Sequence, residues 1–301
     1  MASSRRALAC YQIDAFTGVA FAGNPAAVVL LPRAALPLSD SLRQQIAAEK
    51  NLSETAFVEC SDGGSSDDFS VCTRFKLRWF TPAIEVPLCG HATLASAAAI
   101  FFEEANPARR LAFDTLSGEL VVTRQADLLS MELPLIEATA AAVPPGMEPV
   151  VQAAVGQLAV EEVLYASPLK YLLIVLRGDG EATRQAFLSL QPNTQQLGDA
   201  HTGGALVGVI VSLQGDGERH DLYSRFFAPW AGIAEDPVTG SAHSILGAYW
   251  AKKTSKQQLR ARQCSPRGGE LILHVKRDEG RVVVAGQAVT VLTGHLLLPP
   301  A

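Results

Sequence analysis

The 301-residue sequence lacks the features that mark several large classes of protein. It has no run of about 20 apolar residues, the length that a membrane-spanning helix needs, and residues 1–10 show no apolar core of a secretory signal. Its net charge is only −5, so we expect neither a nucleic-acid partner nor a membrane partner. Hydrophobic residues make up 48% of the chain, which excludes a largely disordered protein. These properties predict a globular, cytoplasmic protein.

Cysteines and cofactor motifs are also scarce. The five cysteines are scattered along the chain: Cys10, Cys60, Cys72, Cys89 and Cys264. Their odd number and the lack of any CxxC pair predict neither a disulfide framework nor a zinc cluster. Phosphate-binding loops, dinucleotide fingerprints and HExxH motifs are absent from the sequence. We therefore expect no cofactor and no metal site.

What the sequence does contain is an internal repeat. Residues 80–92 and residues 227–242 both read F-x-P followed by E-x-P-x-x-G-x-A, and their glutamates, Glu85 and Glu235, are 150 positions apart. A second matched pair, SGELVV and GGELIL, places Gly118 and Gly269 at an offset of 151. Two matches at nearly one offset predict two halves of similar structure.

Both halves also show a similar order of predicted elements. Alternating or continuous apolar runs predict strands, among them Cys10–Ala15, Ala26–Leu31, Thr55–Glu59, Arg74–Phe80, Tyr171–Leu176, Ala205–Ser212, Leu222–Phe227, Glu270–Val275, Val282–Ala285 and Ala288–Leu298. Helices are predicted at Leu42–Lys50, with a capping box from Ser41 to Gln44, and at Glu181–Leu190. The segments from Gly90 to Glu104 and from Gly240 to Lys253 are apolar almost all round, which predicts a buried central helix in each half. Residues 61–68 predict a flexible hairpin tip.

The repeat predicts two pseudo-symmetric α/β domains, each a sheet rolled around its central helix. We place the first domain at residues 1–136 and the second at residues 137–286, with Pro144 and Pro145 in the linker. The strand in residues 287–301 has no counterpart in the first half and is expected to return to the first domain. A small-molecule site is expected in the cleft between the domains.

The two central helices begin at glycines, Gly90 and Gly240. A helix start offers free backbone N–H groups and suits a carboxylate, although the glycines could equally serve only to permit tight turns. Glu85 and Glu235 are equivalent in the repeat, so a structural capping role suits them. Asp236 has no acidic counterpart in the first half, and such a difference indicates function.

Five motifs in order resemble those of the PhzF family. They are residues 21–28, FAGNPAAV; 51–58, NLSETAFV; 78–82, RWFTP; 89–94, CGHATL; and 235–242, EDPVTGSA. The resemblance covers almost the whole chain. It implies the diaminopimelate epimerase-like fold, with the active site in the cleft, and a cofactor-independent isomerase. It also implies a small carboxylate-bearing metabolite as the substrate. A homodimer is expected as well, since two-fold dimers are common.

The resemblance also implies roles for individual residues. Glu54 is the expected acid/base that shifts a proton between two carbons of the substrate, and His91 and Asp236 are the other expected catalytic residues. The expected substrate-binding residues are those at the two helix starts: Gly90, Gly240, Ser241 and Cys89.

Two alternatives to a one-base isomerase remain open. Related epimerases use a cysteine before each of the two helix-opening glycines, whereas this chain has Cys89 and Thr239 there. An epimerase or racemase would therefore need to pair Glu54 with Cys89. From a different class, the chain could be a binding or regulatory protein on an inherited enzyme scaffold, although its catalytic motifs are intact.

Overall fold

The computed structural model describes residues 6–35, 37–61, 68–178 and 180–298. The chain divides into two compact units, Met1–Glu132 with Ala285–Ala301 and Leu133–Val284. The predicted hairpin tip falls mostly on residues 62–67, outside the described residues. Within the described ranges, no helix combines the length and the apolar character that crossing a bilayer requires.

Strands make up most of the regular structure. In chain order the strands are β1 Ala7–Ala15, β2 Asn24–Leu30, β3 Glu54–Cys60, β4 Arg74–Phe80, β5 Glu85–Val86, β6 Arg110–Thr115, β7 Gly118–Gln125, β8 Leu128–Pro134, β9 Val160–Ala166, β10 Tyr171–Leu176, β11 Gly208–Gln214, β12 Leu222–Phe227, β13 Gln258–Gln263, β14 Gly269–Lys276, β15 Arg281–Gly286 and β16 Ala288–Leu297. The α-helices are α1 Asp40–Lys50, α2 Gly90–Ala98, α3 Glu148–Val155, α4 Glu181–Leu188, α5 Thr194–Asp199 and α6 Gly240–Thr254.

The two units share one strand topology. In the first unit, β1 and β2 pair antiparallel, β2 and β3 parallel, β3 and β4 antiparallel, β4 and β6 parallel, and β6 and β7 antiparallel. The second unit repeats this succession from β9 to β14. The internal repeat in the sequence therefore corresponds to a repeat in the fold.

The last strand belongs to the first unit. β16 pairs antiparallel with β1 along its whole length, from Ala7 opposite Leu297 to Ala15 opposite Ala288. Leu298, directly after β16, is buried and joins the core cluster that includes Leu8 and Phe57. The two ends of the described chain are thus held in one sheet.

Each unit contains a buried helix, as the apolar segments predict. In α2, every residue from His91 to Ala98 is buried, and the helix packs against β1, β2 and β3. A π-helical turn, Ala99–Glu103, continues it. In the second unit α6 packs against β13 and β14. Helices with so few exposed positions are apolar over most of their surface.

The first turn of α1 corrects the predicted capping box. The helix begins at Asp40, and the N-cap is Ser39, whose side chain accepts a hydrogen bond from the backbone N–H of Leu42 at 3.2 Å. Ser41 lies inside the helix and contacts Gln45 instead. The prediction of Ser41 as the cap was wrong because two serines flank Asp40, and an acidic residue in the first turn favours the earlier start.

A disulfide also corrects the sequence prediction. Cys60, at the end of β3, is bonded to Cys72, which precedes β4, and their Cα atoms are 6.2 Å apart. The antiparallel pairing of β3 with β4 brings the two cysteines together, which the spacing of scattered cysteines does not reveal. Cys10, Cys89 and Cys264 are free and buried.

An arginine–glutamate pair recurs in both units. The guanidinium of Arg78 donates to both carboxylate oxygens of Glu85 at 2.6 and 2.7 Å. Arg225 donates to both carboxylate oxygens of Glu235 in the same bidentate arrangement, at 2.7 and 2.8 Å. Each guanidinium also lies 5.2 Å from the ring of the phenylalanine two residues later. The two glutamates therefore form ion pairs, and the predicted capping role was wrong.

Candidate active site

Glu54 begins strand β3 in the first unit. Helix α1 ends before it at Asn51, whose left-handed backbone (φ 49°) turns the chain from helix towards strand. In the parallel pairing of β2 with β3, Glu54 lies opposite Ala26. Its side chain is only 11% exposed. A carboxylate placed so deeply needs a partner or a function.

His91 lies next to Glu54. It is the second residue of α2 and is buried. Its Nε2 atom lies 3.1 Å from Oε2 of Glu54. The contact is close but misses hydrogen-bond geometry, so neither atom has a hydrogen-bond partner among the described residues. Two of the predicted catalytic residues thus lie side by side.

Cys89 is the third member of this cluster. It is the N-cap residue of α2, and its Sγ atom lies 3.4 Å from Nδ1 of His91. Burial, together with the negative charge of Glu54, raises the pKa of the Cys89 thiol to about 11. At neutral pH the thiol therefore keeps its proton. Burial alone would lower the pKa of His91, but the neighbouring Cys89 and the carboxylate of Glu54 outweigh it and raise that pKa above its ordinary value.

Two residues that the sequence prediction missed hold His91 in place. The Nδ2 atom of Asn24 lies 3.2 Å from Nδ1 of His91, and the hydroxyl of Ser53 donates to Oδ1 of Asn24 at 3.3 Å. Both residues stand inside the quoted motifs, Asn24 in FAGNPAAV and Ser53 directly before Glu54. The motifs signal these positions, but only the folded strands show which atoms they contact.

The glycine before Asn24 explains the sharp turn that leads into β2. Gly23 has φ +65°, and a Cβ atom there would lie 2.3 Å from the carbonyl oxygen of Ala15. No side chain fits in that space, so only glycine allows the chain to approach β1 so closely. The turn delivers Asn24 to the start of β2, where it is fully buried.

The start of α2 is suited to an anion. The helix begins at Gly90 with no acidic residue in its first turn. The positive end of the helix dipole and the first-turn N–H groups are therefore not offset by a nearby carboxylate of the helix itself. Of the predicted site residues, Glu54, Cys89, Gly90 and His91 all lie in this one region of the first unit.

The remaining predicted residues lie in the second unit, around the start of α6. Asp236 is buried, and its Oδ2 accepts a hydrogen bond from the hydroxyl of Thr239, the N-cap residue. Gln263 ties the same turn together, since its Nε2 donates to the backbone carbonyl of Asp236 at 2.7 Å and its Oε1 accepts from the N–H of Thr239 at 2.9 Å. Asp236 is therefore part of an ordered polar network.

Gly240 and Ser241 form the first turn of α6. Like α2, this helix has no acidic residue in its first turn. The hydroxyl of Ser241 lies 3.3 Å from that of Tyr171 on β10. That these residues act on the same substrate as Glu54 and His91 stays a prediction.

In each central helix, the side chain at the fourth residue contacts the backbone carbonyl of the N-cap residue. In α2, the hydroxyl of Thr93 donates to the carbonyl of Cys89 at 2.6 Å. In α6, the corresponding residue is His243, and its Nδ1 atom lies 2.7 Å from the carbonyl of Thr239. His243 is fully buried, and burial lowers its pKa to about 4. The sequence prediction did not single out this histidine.

Comparisons with known proteins show what the whole chain is similar to. The profile of a family described as phenazine biosynthesis-like protein matches residues 13–294. A phenazine biosynthesis-like domain-containing protein of Mus musculus is 46% identical over 288 residues, which cover 94% of this chain and 96% of the mouse protein. A protein of Pseudomonas aeruginosa named an uncharacterized isomerase is 40% identical over 293 residues, covering 96% and 98% of the two chains.

A solved structure supports the same relationship. The PhzF-family phenazine biosynthesis protein of Enterococcus faecalis superposes with a TM-score of 0.83 at 35% identity, covering 97% of this chain and all of the other. The predicted mixed α/β fold, of the diaminopimelate epimerase-like type, is thereby confirmed.

Proposed function

Because the chain belongs to the PhzF family of phenazine biosynthesis-like proteins, we propose that it is a cofactor-independent isomerase that shifts a proton between two carbons of a small carboxylate. The observation that carries the proposal is the buried contact between Glu54 and His91, 3.1 Å apart. The name of the Pseudomonas aeruginosa relative, an isomerase, supports an enzymatic role.

Glu54 is the proposed acid/base. Its Oε2 atom is buried and has no hydrogen-bond partner among the described residues, so its lone pairs are available to a substrate proton. The carboxylate takes a proton from one carbon and returns it to another, which leaves Glu54 unchanged after the cycle. His91 faces the same carboxylate and offsets its charge while the proton moves.

The helix starts are the proposed carboxylate sites. The first turns of α2, from Gly90, and of α6, from Gly240 and Ser241, lack acidic residues. Such turns stabilise an anion through backbone N–H groups and the helix dipole. Asp236 is the proposed further substrate contact. These assignments rest on the family's motifs and on the local structure of each helix start.

An epimerase that pairs Glu54 with Cys89 is the alternative. Burial keeps the pKa of the Cys89 thiol at about 11, so at neutral pH it is a poor proton acceptor. At the equivalent position of the second unit, the Thr239 hydroxyl donates to Asp236. Both observations favour the one-base isomerase over the epimerase.

A purely binding or regulatory role is also less well supported. Such a role places no demand on the orientation of the acid/base residue. Here Glu54 instead points into a buried cluster with His91 and Cys89. A buried carboxylate kept next to a histidine is typical of a catalytic site.

Replacement of Glu54 tests the proposal. The protein is incubated in D2O with a panel of small unsaturated or amino-bearing carboxylates, and NMR detects deuterium entering a substrate carbon. Because Glu54→Gln keeps the shape but loses the proton acceptor, we expect a loss of about 10²–10⁴-fold in rate. Glu119→Gln, which alters an exposed ion pair on β7, is the control and keeps full activity. Full exchange by a folded Glu54→Gln protein contradicts the proposal.

The same assay separates isomerase from epimerase. Cys89→Ala retains exchange if Glu54 is the sole base. If Cys89 is the second base, deuterium incorporation at a retained stereocentre stops in that variant.

A further inference from the structure

We infer that Glu54, Cys89 and His91 also form a binding site for a thiophilic divalent cation such as Zn²⁺, and that a cation bound there blocks the acid/base. Only the blocking step rests on the proposed function. The binding itself follows from the chemistry and geometry of the three side chains.

The ligand set is the first argument. A carboxylate oxygen of Glu54, the sulfur of Cys89 and a ring nitrogen of His91 all lie within 4.8 Å of one another, and all three residues are buried. Zinc binds these three atom types, commonly with three protein ligands and an open fourth position. The matching ligand distances put neighbouring ligand atoms about 3.3–3.8 Å apart around a tetrahedral zinc.

Two of the contacts already come close to such separations. Oε2 of Glu54 and Nε2 of His91 are 3.1 Å apart, and Sγ of Cys89 is 3.4 Å from Nδ1 of His91. Because Glu54 and Cys89 contact opposite nitrogens of the His91 ring, a single cation binds only one of these nitrogens. The residue on the other side of the ring then reaches the cation by rotation of its side chain.

Nε2 is the proposed ligand nitrogen, so Nδ1 must carry the ring proton. As the Asn24 amide is oriented, its Nδ2 atom donates towards Nδ1 at 3.2 Å, which does not suit a protonated Nδ1. Rotation of this amide by 180° places Oδ1 there instead, and Oδ1 then accepts from Nδ1, as the polar neighbour of a metal-bound histidine does. Ser53 in turn holds Asn24, so the ring is oriented without the cation.

Two buried atoms also point to a ligand. Oε2 of Glu54 and Nε2 of His91 face each other as an ion pair at 3.1 Å, and neither makes a hydrogen bond of good geometry in the described part of the chain. Buried polar atoms are nearly always hydrogen-bonded, so this pair requires an explanation. A cation between them satisfies both, and its charge suits the carboxylate.

Binding displaces two protons. The Cys89 thiol and the ring of His91, which its raised pKa keeps protonated, each lose one proton to solvent. The sulfur and Nε2 then bond to the metal with no change of oxidation state. Because the carboxylate of Glu54 then donates its lone pair to the cation, it can no longer accept a proton from a substrate carbon. The cation therefore acts as a reversible inhibitor and not as a cofactor.

Cobalt provides the direct test, since Co²⁺ takes the place of Zn²⁺ and absorbs visible light. The full-length protein, without an affinity tag, is titrated with Co²⁺ and then with Zn²⁺. We expect one Co²⁺ per chain, tetrahedral visible bands, a sulfur-to-cobalt charge-transfer band in the near ultraviolet, and loss of all bands when Zn²⁺ displaces Co²⁺.

Variants assign the ligands. Cys89→Ser abolishes the charge-transfer band, and Glu54→Gln and His91→Gln each weaken binding at least tenfold. Cys264→Ser, which changes another free buried cysteine, leaves binding unchanged, and thermal melts confirm that each variant is folded. Absence of stoichiometric binding, or a charge-transfer band that survives Cys89→Ser, overturns the inference.

The two proposals fail separately. If Co²⁺ binds as expected but Glu54→Gln keeps full proton exchange, the proposed function is wrong and the cation site stands. If Glu54→Gln abolishes exchange while Co²⁺ does not bind, the cation site is wrong and the function stands. With both correct, Zn²⁺ inhibits the exchange reaction and a chelator restores it.

Discussion

His243 shows how one buried side chain couples stability to pH. It lies in the first turns of α6, fully buried, with Nδ1 next to the carbonyl of Thr239. Burial lowers its folded pKa from 6.5 to about 4. Below pH 6.5 the unfolded chain takes up a proton that the folded protein refuses until about pH 4. His243 therefore costs stability as the pH falls through this window and costs none above it.

We expect this residue to remove about 3 kcal/mol of unfolding free energy between pH 7 and pH 4. His243→Thr keeps a donor for the Thr239 carbonyl, as Thr93 does in α2, and loses the titrating group. Urea unfolding at several pH values should show a shallower decline for this variant. His274→Thr, at an exposed position on β14, is the control for loss of a histidine. An unchanged decline in His243→Thr contradicts the prediction.

The candidate site was predictable at some residues and not at others. Glu54 and His91 stand in recognisable motifs, and the structure places them side by side. Asn24 stands in a motif too, but its role depends on the packing of β2 against α2, two elements that are far apart in the sequence. Hydrogen-bond partners of this kind are set by tertiary packing, which local sequence does not encode.

At the scale of secondary-structure elements, α1 offers a clean comparison of two serines. Ser39 caps the helix by accepting from the N–H of Leu42, whereas the hydroxyl of Ser41 accepts from the side chain of Gln45. We expect Ser39→Ala to lower the unfolding free energy by about 1 kcal/mol. Ser41→Ala should change it by less than about 0.5 kcal/mol. Chemical denaturation of the two variants checks this, and equal losses would mean that the cap is not at Ser39.

The repeated arginine–glutamate pair predicts unequal costs in the two units. The side chain of Arg225 is 3% exposed and that of Glu235 is 15% exposed, against 29% and 25% for Arg78 and Glu85. Glu235→Gln leaves a buried guanidinium without its counter-charge, so we expect a loss of about 3–5 kcal/mol.

The matched variant is Glu85→Gln in the first unit. Here water screens the pair, and Arg78 keeps a second carboxylate, Asp40, at 2.6 Å. We expect a loss of about 1 kcal/mol or less. Calorimetric melts of both variants give the comparison. A greater loss of stability in Glu85→Gln than in Glu235→Gln would show that burial does not govern the strength of this ion pair.

Elements with strong apolar patterns were predicted closely. The predictions for Arg74–Phe80, Tyr171–Leu176 and Leu222–Phe227 match the observed strands residue for residue. Helix α5 was missed because six residues carry too little periodicity to stand out. Helix α3 was missed because it begins just after Pro144, Pro145 and Gly146, a stretch interpreted as a linker. The disulfide was missed because it depends on strand pairing rather than on cysteine spacing.

For the whole molecule, the pairing of β16 with β1 predicts the effect of a truncation. Removing residues 288–301 deletes β16, which pairs with β1 along its whole length, and also removes buried Leu298. Strand β2 stays paired with the other edge of β1, so we expect the amide hydrogens of β1 that face β16 to exchange with solvent at least tenfold faster, as measured by mass spectrometry. Removing only residues 299–301 is the control. Protection of β1 that survives the longer truncation contradicts the prediction.

The same pairing has a consequence for biosynthesis. The ribosome releases β1 first and β16 last, with the whole of Leu133–Val284 made in between. One edge of β1 therefore waits for its partner while the second unit can already complete its own sheet. An unpaired strand edge is a template for association with other chains. Nascent protein is thus most exposed to aggregation in that interval, and the unit that begins the chain is the last to be finished.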